Sequence, residues 1–101
     1  MASEGKRAGM DGKIRAWEHD LERLRLALAR GPAELHERFG PGFTDLYRAK
    51  EVLKARWEAV RGVYRPAPAE LARCEEALRA MEAAWAAEQS MVSEVLGAQR
   101  G

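Results

Sequence analysis

Side chains able to bind a metal ion are few in this chain. His19 and His36 are its histidines, and each has carboxylates nearby. His19 and Glu22 are three positions apart, a spacing that places two ligands on one face of a helix. The bundle pattern that holds paired iron ions needs Glu-x-x-His on two helices, however, and that motif does not occur here. We therefore interpret both histidines as solvated and expect no metal and no cofactor, with a metal- or cofactor-binding bundle as an alternative.

Nucleophilic side chains are equally sparse. Cys74 is the single cysteine, and its spacing from the surrounding apolar residues predicts a small buried hydrophobic role. Neither histidine is predicted to lie beside it as a base. The chain contains no G-x-S-x-G, no P-loop and no dinucleotide-binding glycine pattern. We therefore predict that the protein is not an enzyme.

The elements that must position these residues are helices. Ala, Leu, Glu and Arg dominate the chain between breaks rich in glycine and proline, and runs of alternating β-branched residues are absent. The spacing predicts a first helix from about Asp11 to Ala29 and a short helix that holds Leu35 and Phe39. Gly40-Pro41-Gly42 is predicted to end that short helix. Thr44 is then predicted to cap a second long helix that runs to Val63, and a third runs from Pro68 to Leu96.

Each long helix carries one mainly apolar stripe whose steps alternate between three and four. The stripe of the first helix consists of Ile14, Trp17, Leu21, Leu24 and Leu28. The stripes of the second and third helices form heptad seams, and they consist of Leu46, Lys50, Leu53, Trp57, Val60 and Tyr64, and of Leu71, Cys74, Leu78, Met81, Trp85, Glu88, Val92 and Val95. The short link Pro66-Ala67-Pro68 predicts an antiparallel hairpin of the two. In the register that pairs large residues with small or flexible ones, Trp57 faces Met81, and Tyr64 faces Cys74. The same register places Lys50 opposite Glu88, which predicts a polar layer in the seam. We interpret this layer as a device that fixes register, with a buried ligand site as the less favoured interpretation.

Charges beside the seam agree with the hairpin. Residues 43–65 carry six basic and three acidic side chains, whereas residues 66–97 carry two basic and six acidic ones. Across an antiparallel seam this predicts the pairs Lys54–Glu82 and Arg61–Glu75. The first helix is expected to cover two secondary apolar edges. One belongs to the second long helix and is formed by Ala49, Val52, Ala59 and Val63, and the other belongs to the third and is formed by Ala77, Ala84, Met91 and Leu96.

Composition bounds the remaining possibilities. The 101 residues allow one domain, and a net charge of +1 gives no reason to expect strong nonspecific binding to nucleic acid. One cysteine cannot form an internal disulfide, and no apolar run approaches the ~20 residues that a membrane span needs. We predict a mobile tail at residues 1–10, a single helical domain at 11–97, a C-terminal tail at 98–101, and a cytoplasmic location.

The sequence thus predicts an all-α fold, namely an antiparallel three-helix bundle with a short helix between its first and second helices. The expected function is a small protein-interaction module, such as an adaptor, a chaperone-like protein or a regulator, that binds another protein or a second copy of itself. Leu26, Arg48 and Arg56 are the candidate interaction residues. A nucleic-acid-associated regulator that uses the basic second helix is the main alternative, although nucleic acid is an unlikely partner on charge grounds.

Overall fold

A computed structural model of the protein describes the backbone of residues 2–98 and the side chains of residues 9–97. Four helices follow one another: α1 (Ala2–Arg30), α2 (Ala33–Arg61), α3 (Pro68–Ala87) and α4 (Gln89–Ala98). Residues 2–98 contain no strand, so the predicted all-α class is confirmed. The molecule is elongated, with extents of 49 × 22 × 18 Å.

Helix α1 begins much earlier than predicted. It is helical from Ala2 and passes through Gly9 and Gly12, so the predicted helix start at Asp11 is wrong. Each glycine costs a helix about 1 kcal/mol relative to alanine. Tertiary contacts offset this cost, since Met10 packs against buried core residues and Asp11 contacts α2. Met1 and residues 99–101, which belong to the predicted tails, lie outside the described residues.

Helix α2 is continuous through Gly40-Pro41-Gly42, where a break was predicted. Pro41 removes one backbone hydrogen bond from the helix. Phe39 before it and Phe43 after it nevertheless pack against the same core cluster, which holds both parts in line. Thr44 is therefore not an N-cap; its hydroxyl donates to the carbonyl oxygen of Gly40 over 3.0 Å, inside the helix.

The predicted third helix is divided at Glu88 into α3 and α4. The interruption is small, because the Glu88 amide donates to Ala84 and the Val92 amide donates to Glu88 at ordinary distances. Beyond this point α4 packs on α1, whereas α3 packs mainly on α2. No glycine or proline lies at the division between α3 and α4, which coincides with this change of packing partner.

The core consists of two clusters. An upper cluster joins α1, α2 and α4 around Leu24, Leu46 and Val95, and a lower cluster joins α1, α2 and α3 around Leu53 and Met81. Trp85 packs against both clusters and connects them. Each fully buried leucine contributes about 1.5–3 kcal/mol relative to exposure, so the two clusters are the main stabilising contribution.

Several seam residues are buried as predicted, among them Leu46, Leu53, Val60, Cys74 and Met81. Tyr64 is the clearest exception among the predicted seam residues, with 89% of its surface exposed. The reason is that α2 ends at Arg61, so Tyr64 lies in the connecting loop and not on the helix face.

The predicted contact edge of α2 toward α1 is also wrong. Val52 is 52% and Val63 40% exposed, so neither is covered by α1. Instead, α1 packs on the edge of α2 that carries Lys54 and Trp57, because charged and indole groups there bind carboxylates of α1.

Candidate functional site

A cleft opens at the lower end of the molecule, between α1 and α3. Helix α2 packs on both of these helices, but α1 and α3 make little direct contact with each other within the described residues. The space between them has a volume of about 640 Å³. We call this space the α1–α3 cleft.

The lining of the α1–α3 cleft is mostly apolar. Trp57 and Val60 contribute from α2, Met10 from α1, and Leu71 and Leu78 from α3. Leu71 is 42% exposed, a high value for a leucine beside a core. An apolar surface of this shape is typical of a binding groove, since water is easily displaced from it.

Cys74 also lines the α1–α3 cleft, although its own surface is buried. Burial raises the pKa of the Cys74 thiol, and the nearby Glu75 carboxylate raises it further. A thiol with a raised pKa is a poor nucleophile at neutral pH. Its position supports the predicted packing role for this residue.

Two charges of opposite sign stand on the walls of the α1–α3 cleft. Lys13 lies on the α1 wall and Glu75 on the α3 wall. Glu75 approaches Arg79 at 3.7 Å, but both side chains are largely exposed, so the attraction is weak. Lys13 forms no ion pair with any described carboxylate.

The α1 wall is held in place by two carboxylates. Asp11 accepts a hydrogen bond from Trp57 Nε1 over 2.8 Å and lies 3.4 Å from the Arg61 guanidinium. Glu18 accepts a hydrogen bond from Lys54 over 2.9 Å and lies 3.8 Å from the Lys50 amine. The contact with Glu18 raises the pKa of the Lys54 amine above its ordinary value.

Lys50 is 5% exposed, but the predicted Lys50–Glu88 layer does not form. The Lys50 amine binds Glu51 and approaches Glu18, and it lies 4.4 Å from the centre of the Tyr47 ring. The Glu88 carboxylate lies beside Gly42 instead, where an added Cβ would be 2.7 Å from Glu88 Oε2. Gly42 and Lys50 are eight positions apart on α2, about 12 Å along the axis, so the Lys50 and Glu88 charges are in different layers.

The predicted charge pairs across the hairpin do not form either. Lys54 and Arg61 bind carboxylates of α1, whereas Glu75 approaches Arg79 of its own helix. The basic residues Lys54 and Arg61 of α2 therefore pair with α1 and not with α3. The prediction from charge balance was wrong because both α1 and α3 carry acidic residues, and net charge does not show which helix packs beside this edge of α2.

Leu26, Arg48 and Arg56 do not form one surface with the α1–α3 cleft. Leu26 is half-buried, and both arginines are exposed. Arg48 lines a separate depression of about 710 Å³ between α1 and α2, which also contains Arg25, His36, Glu37 and Asp45. Its charges are mixed, and the Arg25 guanidinium is already bound to Glu22.

Ligands for a metal ion do not come together in the described part of the chain. No group of three or more His, Cys, Asp or Glu side chains is close enough there to hold an ion. His19 and His36 are both exposed, as predicted. Among the described helices, none is long and apolar enough to cross a membrane.

Comparison of the chain with protein-family models, with curated proteins and with solved structures finds no match.

Sequence reasoning missed the α1–α3 cleft because two of its wall residues seemed to lie outside or at the edge of the fold. The sequence predicts Met10 in the tail, Lys13 in the first turn of a helix that starts at Asp11, and both Leu71 and Leu78 in the seam. Leu71, Glu75 and Leu78 are spaced by about one turn each and lie on one side of α3, so the pattern does not distinguish a cleft wall from a covered seam.

Proposed function

We propose that this protein is a non-enzymatic binding module whose α1–α3 cleft accepts a helix of a partner protein. One observation carries the proposal. Helices α1 and α3 make little direct contact, and the cleft between them is lined mostly by apolar residues, Trp57 among them. Grooves between helices that take up an amphipathic helix share these properties, since the partner's apolar face replaces water along the floor. The incoming helix would complete a bundle at this end of the molecule.

Packing at the upper end supports this proposal. There α4 lies against α1 and contributes Met91, Val92 and Val95 to the upper cluster. At the lower end α3 takes the corresponding place, but it packs mainly on α2 and makes little direct contact with α1 within the described residues. Trp57 is of a residue type that often dominates binding energy when a partner covers it. Leu71 adds exposed apolar surface beside it.

The test uses two matched substitutions. Leu71→Glu places a charge in the α1–α3 cleft, whereas Val52→Glu places one on an exposed apolar residue outside it. The tagged wild-type protein and both variants are used to capture proteins from the cells that produce it, after circular dichroism has verified equal helix content. We expect a protein that the wild type and Val52→Glu retain and that Leu71→Glu loses. Identical capture by all three forms would contradict the proposal.

The nucleic-acid alternative has weaker support. Arg48 and Arg56 are exposed on α2, eight positions apart, but Lys50, Lys54 and Arg61 contact carboxylates. Binding to duplex DNA at low ionic strength that weakens steeply with added salt would favour this alternative.

We propose a cytoplasmic location for the protein, since a single free thiol suits a reducing compartment.

A further inference from the structure

The two walls of the α1–α3 cleft differ in charge, and this difference indicates which charges the partner carries. Lys13 stands on the α1 wall and Glu75 on the α3 wall. A helix that lies in a groove presents one edge to each wall, so its two edges meet opposite charges. Resting on the proposed function above, we propose that the partner is an amphipathic helix with an acidic residue along one edge and a basic residue along the other.

The apolar stripe of this partner helix follows from the spacing of the two leucines that α3 contributes to the α1–α3 cleft. Leu71 and Leu78 are seven residues apart on α3, about 10 Å along its axis. Three apolar residues at positions i, i+4 and i+7 of the partner span the same distance and face the same side. The site therefore suits about two turns of helix, and a segment of about 12 residues is long enough to fill it.

Charge also sets the direction in which the helix lies. Reversing a helix in a groove exchanges its left and right edges. A helix that carries its acidic residues on one edge therefore binds in the direction that brings them to Lys13 and brings its basic residues to Glu75. The opposite direction places like charges together on both walls, which is unfavourable.

Synthetic helical peptides test this directly. Four labelled peptides share one apolar stripe and differ only in their edges: the mixed peptide has one Glu edge and one Lys edge, the acidic peptide has two Glu edges, the basic peptide two Lys edges, and the neutral peptide two Gln edges. Fluorescence anisotropy measures their dissociation constants with the wild-type protein. We expect the mixed peptide to bind about twofold to fivefold more tightly than the acidic or the basic one, the range for exposed charge pairs.

Variants of the walls sharpen the test. Lys13→Glu makes both walls acidic, so the basic peptide should become the tightest ligand. Glu75→Lys makes both walls basic, so the acidic peptide should become the tightest. Glu76→Lys is the matched control, because this neighbouring exposed residue does not line the α1–α3 cleft and the change in net charge is the same. It should leave the ranking of the peptides unchanged.

Three outcomes would contradict the inference, and they differ in what they imply for the proposed binding function. Equal binding of all four peptides, abolished by Leu71→Glu, overturns the charged-edge inference but supports the proposed binding function. The absence of any peptide binding, together with capture that does not depend on Leu71, overturns both. Sedimentation that shows a dimer of the wild-type chain, lost in Leu71→Glu, identifies a second copy as the occupant and overturns the inference of a separate partner helix.

Discussion

The indole Nε1 of Trp57 donates a hydrogen bond to Asp11 over 2.8 Å, although 46 positions separate the two residues. The arrangement repeats one heptad further along the interface. Seven residues later on α1, Glu18 meets Lys50 and Lys54, which lie seven residues before Trp57 and Arg61 on α2. Two acidic residues of α1 are thus each held by two donors of α2. This repetition fixes the register of the antiparallel pair, because a slip by one residue breaks all four contacts.

The Asp11–Trp57 bond should be measurable as a coupling. Trp57→Phe removes the donor and keeps the ring, while Asp11→Ala removes the acceptor. A double-mutant cycle in urea should give a coupling energy of about 1 kcal/mol, since the bond is charge-assisted but only partly buried. Trp85→Phe serves as the control and should show no coupling to Asp11→Ala. A coupling near zero for Trp57 would show that the bond does not contribute to stability.

Gly12 and Gly42 should respond differently to alanine. A Cβ at Gly12 meets no side chain or distant backbone atom within 4 Å, whereas one at Gly42 lies 2.7 Å from Glu88 Oε2. Gly12→Ala should therefore stabilise the protein by about 1 kcal/mol through the preference of alanine for helix. Gly42→Ala should gain less, because the Glu88 side chain must move. The gain should return when Gly42→Ala is combined with Glu88→Ala and compared with Glu88→Ala alone in thermal unfolding.

Pro41→Ala should stabilise the protein. It restores a backbone hydrogen bond to the carbonyl of Glu37 inside α2, and the gain should be up to about 3 kcal/mol. Urea unfolding measures it, with Pro68→Ala as the control, since Pro68 is the first residue of α3 and has no helical bond to restore. A loss of stability in Pro41→Ala would mean that the packing of Phe39 and Phe43 depends on the shape that proline imposes.

The Lys50–Glu51 bond predicts a pH dependence. Because Lys50 donates to it, the pKa of Glu51 lies below the ordinary value of 4.5. The folded state therefore releases this proton more readily than the unfolded state does. The contribution to stability is complete above about pH 4.5 and is lost as the pH falls through the lower folded-state pKa.

Unfolding of the wild type and of Glu51→Gln across this range measures the effect. The difference in the free energy of unfolding should shrink as the solution becomes acidic. Glu76→Gln, which changes an exposed carboxylate of α3, should show no comparable trend. A difference for Glu51→Gln that stays constant into acid would rule out the Lys50 bond as its source.

Helical spacing alone identified much of the core. Leu21, Leu24 and Leu28 of α1, and Leu53 and Met81 of the hairpin, are all buried. These residues lie on single stripes, and a stripe must be covered whichever neighbour covers it. The site was less predictable, since the α1–α3 cleft depends on how far α1 extends and on where α4 leaves α3.

The sequence by itself determined that the chain is helical and which face of each helix is apolar, because these properties depend on residues within a few turns of each other. Only the tertiary structure decided that α2 continues through Pro41, that Glu88 separates α3 from α4, and that Lys50 contacts Glu18 and Glu51 but not Glu88. Each of these outcomes balances a local cost of a few kcal/mol against packing between residues distant in sequence. The α1–α3 cleft is of the same kind, since it exists only because two helices that share α2 as a neighbour make little direct contact with each other.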